Sequence, residues 1–222
     1  MPQEQDAGVV FEFRTSGVPR RPVYFACKRI FDVAASAAAL VLLLPFLPLI
    51  ALAIKLDSAG PVFFTQDRLG RDGRLFTIYK FRSMTHHARE VCNADGSRFV
   101  ARNDPRLTRT GRLLRDFSLD ELPQLVNILK GDMSIVGPRP DTPGAPGLDG
   151  EIFRRKRRVR PGLTSLASIH GRNSIPWRER VDWDLRYVER ASLRLDLYIV
   201  WRTAALIARR EGIYTPDPGF KG

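Results

Sequence analysis

Cysteine is nearly missing from this 222-residue chain: Cys27 and Cys92 are the two it has, far apart and in no metal-ligand spacing. That excludes a disulfide framework and a Cys-rich metal centre, and it suits a reducing compartment. Acidic residues are also in short supply, 24 against 36 Lys and Arg, which leaves a net charge of +12. An anionic surface or anionic substrate follows as the expected partner class, with nucleic acid, anionic lipid and nucleotide phosphate all qualifying on charge alone. No base-reading motif accompanies the charge, so nucleic acid is set aside. No internal repeat is evident, and no small-residue cleavage pattern follows the one long apolar run, which argues against a signal peptide.

That run, Val33 to Ile54, carries no charge and is long enough to cross a bilayer at about 20 helical residues. Pro45 and Pro48 interrupt it. Proline lacks the backbone donor and crowds the preceding turn, so the pair predicts a helix–break–helix. Val33 to Leu44 rises only about 18 Å against about 30 Å of hydrocarbon. Lys28 and Arg29 precede the run, and Lys55, Arg68, Arg71 and Arg74 follow it, so both flanks read as cytoplasmic. A re-entrant hairpin is the expectation; a single bitopic helix and a buried soluble helix are the rivals, the first because prolines do occur in membrane helices.

The remaining chain has room for one catalytic-sized domain. Residues 1–22 read as a polar mobile tail, 23–57 as the re-entrant membrane helix, 58–210 as the globular domain and 211–222 as a C-terminal tail. Val62–Thr65 and Leu75–Tyr79 around the turn at Gly70–Gly73 predict a β-hairpin. Leu122, Leu125, Val126 and Leu129 recur at helical spacing and stop at Gly131. Phe153–Arg160 is the densest positive run, either a solvated face or a contact for lipid headgroups or phosphate. Trp177 to Arg210 is helical with a break near Ala191–Ser192; its aromatics, Trp177, Trp183, Tyr187, Tyr198 and Trp201, suit a membrane interface or a helical core. The fold class expected is α+β, predominantly helical.

Ser118–Leu125 places two adjacent carboxylates, Asp120 and Glu121, at the start of the short helix. Ser118 and Glu121 have capping-box spacing, whereas Pro123 at the first helical position would leave both acids just outside the helix. In either register the helix end favours ionised carboxylates. An ionised Asp can act as a nucleophile or hold a divalent cation. Downstream, Pro138–Arg139–Pro140 holds a guanidinium on a restricted backbone, suited to bidentate phosphate pairing. Lys80, Arg115 and Arg172 are further cationic candidates, each by itself no different from a surface charge.

Taken together, Lys28–Asp32, Phe76–Met84, Ser118–Leu125, Lys130–Pro140, Arg160–Thr164 and Gly171–Asn173 resemble, in order, the motifs of the bacterial monotopic phosphoglycosyl transferases, or bacterial sugar transferases. The resemblance implies a membrane enzyme at the cytoplasmic face of the bacterial inner membrane that moves a sugar 1-phosphate from a UDP-sugar to polyprenyl (undecaprenyl) phosphate, releasing UMP. It implies that Asp120 is the nucleophile of a covalent phosphosugar intermediate, that Glu121 joins it in a Mg²⁺ site, and that Pro138–Arg139–Pro140 contacts the nucleotide. Arg115, Lys80 and Arg172 become candidate phosphate ligands, and a second copy of the chain is a candidate partner. The family often has a small polar residue ahead of the helix-breaking proline; here Leu44 stands there, so one way of satisfying a freed carbonyl is missing. The chain also lacks the extra membrane helices of larger relatives. The rival function is a non-catalytic basic adaptor that gathers anionic lipid or a partner at the membrane.

Overall fold

A computed structural model describes residues 21–88, 91, 101, 103–144 and 150–214. The polar tail therefore lies outside the described residues up to position 20, as do Cys92 and residues 215–222 of the C-terminal tail. The fold is mostly helical with a few short strands, as the sequence leads one to expect.

Helix α1, Pro22–Leu43, opens with proline in its first turn, where a missing N–H removes no intrahelical bond. Its few polar residues share one face and turn toward the protein: Lys28, Asp32 and Ser36, four apart, are all buried. Lys28 Nζ lies 2.8 Å from Asp196 Oδ2, and Asp32 Oδ1 accepts from the Ile135 amide at 3.0 Å. Arg29 donates to the Ile128 and Leu129 carbonyls at 2.6 and 2.9 Å. Further along the same face, Ala39, Leu40 and Leu43 pack against Ile78, Leu125 and Met133. Ile30, Val41, Leu42, Phe46, Leu49 and Leu56 are exposed.

The two prolines produce a 3₁₀ turn, Leu44–Phe46, rather than an open loop. Pro45 cannot donate to the Val41 carbonyl, but the Leu44 N–H is shared between the Leu40 and Val41 oxygens. Pro48 likewise leaves the Leu44 carbonyl, which the Leu47 N–H takes up. Tightened i→i−3 bonding thus does the work that a hydroxyl at position 44 would otherwise do. Helix α2, Leu47–Asp57, continues, with Leu47, Ile50 and Ile54 against Phe81 and Leu114. At its end Asp57 Oδ2 accepts from the Thr110 amide at 2.7 Å, and Arg82 donates to the Ser58 and Ala59 carbonyls. Together, Pro22–Asp57 is long and apolar enough to cross a membrane by length and composition.

Strands β1, Phe63–Leu69, and β2, Leu75–Phe81, form the antiparallel hairpin expected there, closed by a 3₁₀ turn at Arg71–Gly73 in which Asp72 and Gly73 take positive φ. Helix α3, Arg109–Asp116, escaped the sequence reading because its apolar stripe is short; the Thr108 hydroxyl caps it by accepting from the Gly111 amide. Helix α4, Gln124–Lys130, ends at Gly131 with φ 92°, the left-handed residue that closes many helices. Strand β3, Ser134–Val136, pairs in parallel with β4, Gly162–Thr164, across the crossover that contains α5, Glu151–Lys156. The pair is tight: a Cβ on Gly162 would lie 2.1 Å from the Gly137 nitrogen.

Helices α6, Leu166–Ile169, α7, Trp177–Arg190, and α8, Leu193–Arg209, complete the domain, with the break at Ala191–Ser192 where expected. The aromatics divide by helix. Those of α7 are core or near-core: Tyr187 is fully buried, Trp183 stacks on His170 and Trp177 on Phe153. Tyr198 and Trp201 of α8 are exposed beside Leu193 and Leu197. The basic run is not a simple solvated face, because Phe153, Lys156 and Val159 are buried and Arg155 pairs with Glu189 at 2.8 Å.

Candidate active site

Four separate stretches converge on the acidic pair. After α3 the chain turns at Ser118, whose φ of 55° is the left-handed conformation, and enters a 3₁₀ turn at Leu119–Glu121 before Pro123, the N-cap of α4. The capping box does not form: Ser118 makes no side-chain cap, and its hydroxyl instead accepts from Arg172 Nη2 at 3.1 Å. The acids therefore stand outside the helix, the register that Pro123 favours.

Lys80, at the end of β2, reaches Glu121 Oε1 at 2.6 Å, and Arg139 Nη2 stands 3.9 Å from the same oxygen. Arg115 donates from Nε to Ser83 Oγ at 2.8 Å. That contact depends on a close approach of α3 to β2's continuation, since a Cβ on Gly111 would fall 1.9 Å from the Ser83 carbonyl oxygen. Arg172, itself at φ 51°, leaves Nη1 buried and without a hydrogen-bond partner among the described residues. All six charged candidates, Asp120 among them, thus come together, although nothing in the spacing of positions 80, 115, 120, 121, 139 and 172 foretells it.

Asp120 is 8% exposed, and its carboxylate makes no hydrogen bond to a described residue. Burial raises its pKa and the neighbouring Glu121 charge raises it further, against the pull of Lys80, Arg115 and Arg172. Glu121 moves the other way: burial pushes it up, but Lys80 and Arg139 outweigh that and hold it ionised. Burial lowers Lys80, with Glu121 opposing. One acid of the pair is thus neutralised by a fixed cation while the other stays poised.

Asp120, Lys80 and Arg115 line a cleft of about 410 Å³ together with Phe63, Phe64 and Phe81. Its lining thus combines cationic and aromatic side chains. Among the described residues no group of three or more His, Cys, Asp and Glu side chains gathers, so a cation here would have Asp120 and Glu121 as its protein ligands. An all-oxygen set of two carboxylates suits Mg²⁺, which keeps its remaining positions for water and substrate phosphate. The orphaned Asp120 carboxylate fits that role.

One supporting cluster has no counterpart in the motif reading. Lys156 Nζ lies 2.6 Å from Asp141 Oδ1 and 3.2 Å from Asp184 Oδ2, all three buried, and Arg157 Nε reaches Asp141 at 3.4 Å. Asp184 Oδ2 also accepts from the Arg139 amide at 3.3 Å, fixing the backbone between Pro138 and Pro140. Burial pushes Asp184 up to about 6, with Lys156 opposing. The signal available in the sequence was an acid inside the apolar stripe Val181, Leu185 and Val188 of α7.

A family model described as bacterial sugar transferase matches residues 23–210. Among curated proteins, the chain is 44% identical to undecaprenyl-phosphate glucose phosphotransferase of Komagataeibacter xylinus, covering 79% of this chain and 35% of that protein. It is 40% identical to exopolysaccharide production protein ExoY of Rhizobium meliloti, with 87% and 91% covered. It is 38% identical to undecaprenyl-phosphate galactose phosphotransferase of Salmonella typhimurium, with 84% and 41% covered. The chain therefore spans about a third to two fifths of the two longer relatives and most of the shorter one.

Proposed function

From the fact that this chain belongs to the bacterial sugar transferase family, and is a transferase, we propose that it moves a sugar 1-phosphate from a UDP-sugar to polyprenyl phosphate, undecaprenyl phosphate by analogy with its relatives' names, and releases UMP. The observation that carries the reading is Asp120: a buried carboxylate with no hydrogen-bond partner among the described residues, surrounded by Lys80, Arg115 and Arg172, and lining a cleft.

The chemistry is a double displacement. An Asp120 carboxylate oxygen attacks the phosphorus that bears the sugar; the anhydride bond to UMP breaks and UMP leaves with the bonding electrons. A polyprenyl phosphate oxygen then attacks the same phosphorus, and the Asp120 oxygen–phosphorus bond breaks, restoring the carboxylate. Both reactants are anionic, so Lys80, Arg115, Arg139 and Arg172 offset the charge that accumulates. Lys80 holds Glu121, and the Lys156–Asp184 pair keeps Arg139 where a nucleotide phosphate can meet it. Asp120 and Glu121 would hold Mg²⁺, which would supply further positive charge at the transferring phosphoryl group. Phe63, Phe64 and Phe81 offer an apolar wall for the lipid acceptor.

In this reading α1 and α2 form a re-entrant pair, and the domain lies on the cytoplasmic face of the inner membrane. Support comes from the two ends of the apolar stretch: Lys28 binds Asp196 and Asp57 binds Thr110, both on the same globular unit. A bitopic helix would hold those ends about 30 Å of hydrocarbon apart. Tags ahead of Cys27 and after Gly222 are expected to be accessible from one side only, the cytoplasmic one; opposite-side labelling restores the bitopic arrangement.

The direct test is to stop turnover with a UDP-sugar in the absence of acceptor and examine the protein by mass spectrometry. A phosphosugar adduct on Asp120 is expected, reduced by exhaustive chelation and recovered with Mg²⁺. Active turnover with no adduct at any time point overturns the mechanism.

A further inference from the structure

A second cationic pocket lies away from Asp120, at the N-terminal end of α1. It encloses about 260 Å³ and is lined by Arg29, Arg71, Arg158 and Arg160 together with Ser134 and Phe25. The fold brings these arginines together from three stretches: the hairpin turn sits on the basic run because the Asp72 amide donates to the Arg157 carbonyl at 2.8 Å, which delivers Arg71 beside Arg160.

Two of the four are fixed without being neutralised. Arg29 donates to the Ile128 and Leu129 carbonyls, and Arg160 Nε donates to the Gly131 carbonyl at 2.8 Å. These acceptors are the end of α4 and carry only about half a negative charge between them. Burial lowers Arg160, and the charges of Arg29 and Arg71 lower it further, the mark of guanidiniums crowded against one another. Among the described residues the carboxylate on the pocket wall is Asp32, whose Oδ1 accepts from the Ile135 amide; Asp72, outside the pocket, pairs with Arg71 on the exposed side. On the pocket wall four arginines, and Lys28 already paired with Asp196, therefore face the single carboxylate of Asp32. The Ser134 side chain, 1% exposed, adds a buried hydroxyl with no hydrogen-bond partner on the pocket wall.

We infer that this pocket is an anion site for a phosphate group, distinct from the Asp120 cleft, in which Arg71, Arg158 and Arg160 bind the phosphate oxygens and Ser134 Oγ donates a hydrogen bond. The phosphate can come from an anionic phospholipid headgroup, since the pocket opens where the apolar segment begins, or from a free phosphate. The site is independent of the sugar-transfer reading and stands or falls separately from it.

The test uses the full chain in neutral detergent, with phosphatidylglycerol against phosphatidylcholine followed by native mass spectrometry, and inorganic phosphate as competitor. Saturable retention of phosphatidylglycerol that inorganic phosphate does not displace assigns a headgroup; displacement by phosphate assigns the free anion. The double variant Arg71→Gln, Arg158→Gln, whose side chains are exposed and hold no helix end, should bind about tenfold more weakly. Ser134→Ala, a small change that leaves every arginine in place, should weaken binding roughly fivefold. UMP release in neutral lipid should be unchanged in the double variant. Equal retention of both lipids with no phosphate binding, or wild-type affinity in both variants, overturns the proposal.

Discussion

Two buried clusters in this chain use the same parts, two carboxylates and a lysine, and differ in how the lysine is shared. At Asp141–Lys156–Asp184 the ammonium stands between both acids, at 2.6 and 3.2 Å, and the Arg139 amide bonds Asp184 as well. At Asp120–Glu121–Lys80 the ammonium binds Glu121 alone and leaves Asp120 with no bond beside an open cleft. Each bridged acid has an oxygen tied to the ammonium, and Asp184 Oδ1, though free of hydrogen bonds among the described residues, is sealed in the interior. An acid left unbridged in a cationic surround keeps its lone pairs free for an incoming phosphorus or a cation. The two clusters thus differ in how the ammonium is shared and in whether the second acid lines an open cleft, not in residue type.

The largest test of that contrast exchanges the acids one at a time. Asp120→Asn should abolish UMP release, a loss of at least about 10³-fold, with thermal stability little changed, because no hydrogen bond is broken. Asp184→Asn should retain turnover to within about tenfold, its effect falling on KM through the Arg139 loop. Comparable kcat losses in the two variants, by a UMP-release assay with saturating UDP-sugar, would erase the distinction.

The second test exchanges the lysines. Lys156→Met removes the one cation between the two carboxylates; Asp141 keeps Arg157 but Asp184 is left buried with no cation, which should cost about 3–5 kcal/mol, read by denaturation in detergent. Lys80→Met should cost less stability and more activity, since Glu121 keeps Arg139 nearby and the cleft admits water. An equal loss of stability in both would show that the two clusters are alike.

The smallest effect is a pH slope. Asp184 has its pKa raised in the folded chain to about 6, so it binds its proton more tightly folded than unfolded. That stability is present below the usual carboxylate range and is lost as pH rises through about 6. Asp184→Asn lacks this loss, so relative to wild type it should be more stable at pH 7 than at pH 5. Melting curves at the two pH values check the sign; a gap that moves the other way would mean that Lys156 dominates burial.

Local signals carried much of the architecture. The Gly131 stop, the hairpin turn and the Ala191–Ser192 break are written in residues that act within a few positions of themselves, through positive φ, turn geometry and a helix N-cap. The site was legible only by motif. Asp120 and Glu121 are neighbours in sequence, but two registers satisfy the local rules there, and the contact of Ser118 with the distant Arg172 decides between them. Lys156 could not be picked out of a run of six basic residues from Arg154 to Arg160, because nothing local says which of them is buried.

Composition and periodicity by themselves determined that this chain has one long apolar segment broken by Pro45 and Pro48, an excess of positive charge, and a short helix preceded by two acids. Those properties follow from backbone chemistry and side-chain transfer energies, which act locally or add along the chain. Only the tertiary structure decided which cation meets which carboxylate. Charge pairing depends on distance and desolvation, and both are set by packing between residues as far apart as Lys80 and Glu121 or Lys28 and Asp196.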